Sequence, residues 1–306
     1  QNVSIFAYGA TFRMRKTDYR DEAKYAKSEF RHVLGLFGCK NVAVYGGLYE
    51  KSGGDGIYLG AGPGGAPCQD VVIRDVVCDR NYRQGISVLS AENLTIDNCT
   101  LRGTIGTAPQ AAIDLEPDEP GDVLNNVRIT NCKAIDNAGS GFMANLMYMM
   151  PSSPPISVSV ENLLVQGSRQ PSMRVLVAQD GPPGGSLTFR NCVGEGTEYS
   201  GLRIKWNLSS AFDVIFDHCE WRRNARFLEV APILMEFMGS KVPGAPGGIR
   251  FIDCLVTDNQ ARDTIQILND QIISGTPDVS GTIFVSNELI DAPISQTAWP
   301  LPDLSV

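Results

Sequence analysis

Only two histidines occur in the 306 residues, His32 and His218. His-rich metal sites and most histidine-dependent catalytic triads are thereby improbable from composition alone. No run of 18 apolar residues exists, so no segment is expected to span a membrane. Basic side chains are outnumbered 26 to 34, giving a formal charge of −8. That balance argues against a nucleic-acid partner, because phosphate contacts need clustered Lys and Arg. Charged residues make up only 20% of the chain, too few for a disordered polyelectrolyte. Eight cysteines are present but no Cys-x-x-Cys pair, which removes the common structural zinc patterns.

The cysteines fall into a recurring phrase instead. Ile96-Asp97-Asn98-Cys99, Ile129-Thr130-Asn131-Cys132, Phe189-Arg190-Asn191-Cys192, Phe216-Asp217-His218-Cys219 and Phe251-Ile252-Asp253-Cys254 are five copies. Ile73-Arg74-Asp75-Val76 and Val160-Glu161-Asn162-Leu163 carry an aliphatic residue in the Cys slot, and Val44-Tyr45-Gly46-Gly47 is a weaker copy. A slot that accepts Cys, Val or Leu points inward, where a free thiol behaves as a small hydrophobe; core packing is expected, not disulfides. The Asn or Asp before it belongs at a bend with left-handed backbone.

A second phrase lies between the copies: Gly56-Ile57-Tyr58-Leu59, Gly85-Ile86-Ser87-Val88, Ala112-Ile113-Asp114-Leu115, Gly141-Phe142-Met143-Ala144, Gly201-Leu202-Arg203-Ile204, Phe227-Leu228-Glu229-Val230 and Thr264-Ile265-Gln266-Ile267. Its period is 2, that of short strands. Short strands recurring every 20 to 50 residues signal a solenoid whose coils stack through parallel pairing about 4.8 Å apart. The expectation is all-β: one single-stranded right-handed parallel β-helix of about nine turns with loop insertions, spanning residues 1–306 as a single domain. Residues 17–32, charged and rich in Ala, Glu and Lys, read as a helical or looped insertion, and residues 291–306 as a C-terminal tail. Solenoids need capped ends. No capping helix precedes residue 3, so a preceding segment or another chain is expected to cover that end.

These repeats resemble the right-handed parallel β-helix proteins of the pectate-lyase-like superfamily, over about residues 2–290. The resemblance implies a carbohydrate-active protein with a polysaccharide or oligosaccharide partner, secreted, periplasmic or in the cell envelope. Gly201-Leu202-Arg203-Ile204-Lys205 is similar to the Gly-x-Arg-Ile-Lys segment of polygalacturonase-type glycoside hydrolases, in which the basic pair binds a uronate carboxylate. The paired Asp-Asp and the Gly-His-Gly of those enzymes have no counterpart in this chain.

In each second-phrase strand the residue between two inward aliphatics points outward. Down the coil this gives Tyr58, Ser87, Asp114, Met143, Arg203, Glu229 and Gln266, with Glu116, Asn145 and Lys205 at the next alternate positions and Trp206 beside them. Arg174 joins the series provisionally, because the register of residues 173–177 is ambiguous. Acids, bases, amides and aromatics together suit a sugar chain, although any solvated sheet face is polar. Asp114 and Glu116 alternate on one strand about 6.6 Å apart, and carboxyls about 6.5 to 9.5 Å apart suit inverting glycoside hydrolysis. They are the catalytic candidates, with Asp55, set among glycines, as the third. Tyr58, Arg83, Gln84, Asn145, Arg203, Lys205, Trp206 and Glu229 are the candidate sugar-binding residues.

Other readings of the same residues stay open. Asp114, Glu116 and Arg83 could form only a surface charge network, or Asp114, Glu116 and Asp118 could hold Ca²⁺; otherwise no metal or cofactor is expected. A lyase would use Lys205 as base with Arg203 or Arg83 neutralising a uronate. A non-catalytic adhesin or tail-type β-helix would only bind glycan.

Overall fold

The computed structural model describes residues 2–178, 181–207, 211–226, 230–238, 247–268, 278–288 and 295–298. Three strand series, each paired in parallel to its equivalents one coil away, build a β-solenoid. The first series runs through Lys40–Tyr45, Cys68–Arg74, Ala91–Asp97, Leu124–Thr130, Ile156–Glu161, Gly185–Arg190 and Phe212–Asp217. The second holds three-residue strands such as Val77–Asp79, Thr100–Arg102 and Lys133–Ile135. The third is a separate nine-stranded sheet: Leu34–Phe37, Ile57–Gly60, Ile86–Val88, Ile113–Leu115, Phe142–Leu146, Met173–Val177, Leu202–Lys205, Ile233–Glu236 and Ile265–Leu268.

The Cys phrase is the corner between the first two series. Asp75, Asn98, Asn131, Asn162, Asn191, His218 and Asp253 all have φ between 47° and 60°, the left-handed region that Asn and Asp tolerate best. Their side chains bond from coil to coil: Asn98 Nδ2 donates to Asp75 Oδ1 at 2.7 Å and Asn162 Nδ2 to Asn131 Oδ1 at 3.1 Å. Just past each corner Val76, Cys99, Cys132, Leu163, Cys192, Cys219 and Cys254 are buried in one core. All eight cysteines are free thiols. A second ladder escaped the sequence reading: Asn41, Asp70, Asn93 and Asn126 lie inside first-series strands at φ 52–55°, and Asn93 and Asn126 each donate to the residue one coil below.

Inside, like side chains stack on like. The rings of Phe189, Phe216 and Phe251 lie parallel at 5.1 and 5.3 Å between centroids, with Trp221 edge-on to Phe216. Residues 17–32 contain one helical turn, Lys16–Tyr19, followed by turns and an isolated bridge between Arg31 and Gly53. Within residues 291–306 the structure describes Ser295–Ala298, a strand pairing antiparallel with Val279–Asn287. Among the described residues no helix is long and apolar enough to cross a membrane.

Candidate functional site

Register fixes which side chains share the outer face of the third sheet. One column reads Gly35, Tyr58, Ser87, Asp114, Met143, Arg174, Arg203, Leu234 and Gln266. The column two residues on carries Glu116 on its strand's extension and then Asn145, Leu176, Lys205 and Glu236. Arg174, ambiguous from sequence, therefore belongs to the face. Glu229 lies outside the described residues, and Ile233–Glu236 is the strand of that rung. Ile233-Leu234-Met235 carries an apolar residue at its outward position, so apolar–polar alternation pointed to the earlier segment instead.

The face is not an open solvated surface, contrary to the sequence expectation. Tyr58, Ser87, Asp114, Met143 and Asn145 are all buried, as is Asp55. Residues 16–32 are packed onto the early rungs. Lys16 Nζ donates to the carbonyls of Arg80 and Asn81 at 3.0 Å each, and to that of Ile105. Gly53 and Gly54 give the segment room: a Cβ on Gly53 would sit 2.8 Å from Tyr19, and one on Gly54 would be 2.9 Å from the Arg31 nitrogen. The glycines before Asp55 thus admit the protein's own backbone. His32, delivered by this segment, stacks on the Tyr58 ring at 4.3 Å, so that ring is already covered. Burial, then Asp118 and Asp55, push the Tyr58 phenol up to about 12.

Asp114 is wholly buried on its strand. Gln84 Oε1 accepts the Ala111 N–H at 2.9 Å, which turns its amide so that Nε2 donates to Asp114 Oδ2 at 2.6 Å. Asp114 Oδ1 has no hydrogen-bond partner among the described residues. Burial, then the nearby Glu116, hold its pKa well above the usual carboxylate value, so the protonated form is favoured. Glu116 lies in a different environment. Arg83 donates to its Oε2 at 2.5 Å and Asn145 Nδ2 to its Oε1 at 3.3 Å.

Arg83 also lies 3.5 Å from Glu29 and 3.8 Å from Asp55 Oδ2. Burial opposes its charge, but Glu116 and Asp55 outweigh it and raise the Arg83 pKa. Asp55 Oδ2 accepts from Ser87 Oγ at 2.9 Å and lies 3.3 Å from His32 Nδ1. Asp114, Glu116, Asp55, Arg83, Gln84 and Tyr58 are thus brought into one cluster, with Asn145 joined to it through Glu116. Sequence reasoning missed Glu29 and His32 as members and placed Ser87 on the face without giving it a role; no local pattern marks the first two, because they arrive by a long-range contact.

Arg203 and Lys205 stand apart, Arg203 three rungs beyond Asp114, or about 14 Å. Arg203 Nε is paired with Glu236, another member missed from sequence, and its guanidinium lies 5.5 Å from the Tyr199 ring. Lys205 Nζ sits 4.1 Å from the Trp206 ring, whose Nε1 donates to the Met238 carbonyl at 2.7 Å. Among the described residues no group of three or more His, Cys, Asp or Glu is arranged to hold a metal. Ca²⁺ at Asp114, Glu116 and Asp118 would have to displace the Arg83 guanidinium and the Gln84 amide donor.

What fold and site define together is a parallel β-helix whose third sheet carries a walled, acid- and arginine-lined outer face. No protein-family model matches the chain, and no curated protein sequence matches it. Among solved structures, a hyperthermoactive exopolygalacturonase from Thermotoga maritima superposes with TM-score 0.55 at 13% identity, over 87% of this chain and 57% of that one. The A-module of a mannuronan C-5 epimerase from Azotobacter vinelandii gives 0.47 at 17% identity, over 83% and 71%. The gp49 tailspike of Acinetobacter baumannii bacteriophage Fri1, a capsular polysaccharide depolymerase, gives 0.42 at 14%, over 81% and 45%. The first of these shows the fold, and the chain spans little more than half of that enzyme's length.

Proposed function

We propose that the protein hydrolyses glycosidic bonds of a polysaccharide or oligosaccharide on the outer face of its third sheet. One observation carries the reading: a wholly buried acid whose pKa is held up, Asp114, stands two residues from an arginine-bonded carboxyl, Glu116, on one strand. Two carboxyls in unlike surroundings, one buried and one bonded to arginine, suit the division into acid and base that cleavage needs. Asp114 would protonate the leaving oxygen while Glu116 activates water. Gln84 and Arg83 hold the two carboxyls in place. Asp55 is the reserve carboxylate, and Asn145, Arg203, Lys205 and Trp206 extend the face along the glycan. The β-helix shared with an exopolygalacturonase supports a saccharide substrate, and such substrates place the protein outside the cytoplasm.

A second reading, glycan binding without cleavage, is favoured by the enclosure of Asp114. Its carboxyl has no exposed surface, so it reaches a glycosidic oxygen only when the side chains above it part. Product analysis separates the readings. Hydrolysis yields new reducing ends without an unsaturated uronate; an unsaturated uronate would replace it by elimination with Lys205 as base; neither product leaves a binder. For the hydrolase, Asp114→Asn is expected to lower turnover about 100-fold or more, while Lys205→Ala retains it. The reverse pair of results refutes the assignment.

A further inference from the structure

Arg174 is unlike the other arginines of the face. Arg83 is tied to Glu116 and Arg203 to Glu236. Arg174, on the rung between Met143 and Arg203, has no ion pair among the described residues, and its Nε is buried without a hydrogen-bond partner. Burial and then the Arg203 guanidinium push its pKa down, yet an arginine remains charged at any ordinary pH. A desolvated cation with an unfilled donor is costly to keep.

Its surroundings indicate what would fill that donor. Of the fourteen buried side-chain polar atoms without a partner among the described residues, five lie around Asp114 and Arg174, namely His32 Nε2, Asp55 Oδ1, Asp114 Oδ1, Asn145 Oδ1 and Arg174 Nε, and a sixth, Gln266 Oε1, lies three rungs beyond Arg174. Asn145 and Arg174 lie on adjacent strands, and between them Met143, Leu176 and Ala111 form a small apolar cluster separate from the main core. Unfilled acceptors and an unfilled cationic donor match hydroxyls and an anionic group.

We infer that Arg174 is the anion-recognising residue of this face, selecting saccharides that carry a carboxylate or sulfate ester about two rungs from Asp114. The inference rests on the saccharide reading of this face and names its substrate class. The basic pair Arg203–Lys205, which the sequence marks for this task, is the weaker reader, because Glu236 already occupies Arg203.

Wild type, Arg174→Gln, Arg174→Lys and Asp114→Asn are to be applied to a printed array of uronate-containing, sulfated and neutral oligosaccharides. Titrations then follow on the best-bound glycan at low and high salt. Wild type and Asp114→Asn are expected to bind anionic glycans above their neutral counterparts, more weakly at high salt. Arg174→Gln should lose about tenfold or more in affinity, with Arg174→Lys intermediate and the melting temperature of the Gln variant not lowered. Carboxyl reduction or desulfation of the bound glycan identifies the anion. Equal binding of neutral glycans, unchanged affinity in Arg174→Gln, or no glycan retained by wild type overturns the proposal. Cleavage by Asp114→Asn would sink the catalytic assignment and leave this one standing.

Discussion

Asp114 and Glu116 show how differently two carboxyls two residues apart can be surrounded. Asp114 has burial and one amide donor, and Glu116 has a guanidinium. Because the folded pKa of Asp114 lies above its unfolded value, the native state binds that proton more tightly. Its contribution is complete below the unfolded value, about 3.9, and is lost as pH rises through the folded pKa. Urea unfolding across this window should show stability falling by at most about 1.4 kcal/mol per pH unit from this group, a slope that Asp114→Asn removes. Arg83→Gln should cost about 2 to 3 kcal/mol, since it strips the charged donor from Glu116, and should abolish glycan cleavage. At this scale the alternation of Ile113-Asp114-Leu115 placed both carboxylates on one face without a structure. Arg174 stayed ambiguous because Met173–Val177 has apolar residues on both faces of its strand: Met173, Val175 and Val177 fill the core while Leu176 covers the outside.

Among the elements, the corners and the segment 16–32 make opposite demands on sequence reading. Each corner is local: an Asn or Asp at positive φ followed by an inward small residue, repeated often enough to be recognised before any fold was known. Asn131→Ala should therefore destabilise by about 1 to 2 kcal/mol, from left-handed strain and loss of the bond from Asn162. Asn131→Gly, which lacks the strain, should cost less by the same urea measurement. The segment 16–32 is the reverse case. Its composition announced an insertion, but its destination depends on contacts such as Thr107 Oγ1 to Glu29 at 3.3 Å, across 78 residues of sequence. No periodicity encodes such a contact. Gly54→Ala should push the segment off the sheet, because the new methyl overlaps the Glu29 carbonyl oxygen. Limited proteolysis is expected to cut within residues 20–30 faster in this variant, with a stability loss of about 1 to 3 kcal/mol.

The whole molecule is a stack in which each coil touches mainly its two neighbours, so a defect in one coil is felt along the axis. Phe216 lies between Phe189 and Phe251 and touches Trp221. Phe216→Ala should cost about 3 to 5 kcal/mol and broaden thermal unfolding, as the coils on either side uncouple. Parallel stacking also separates length from alignment. Successive third-sheet strands are joined by connections of unequal length, yet the rungs Ile86–Val88, Ile113–Leu115 and Phe142–Leu146 align residue for residue. Length added in a connection therefore leaves the columns of side chains in place. The face is in effect a ruler graduated in coils, and duplicating one whole coil would lengthen it by a single graduation of about 4.8 Å. Under the proposed reading, a lineage of such molecules could change the length of glycan it binds by copying or deleting coils, without redesigning any contact within them.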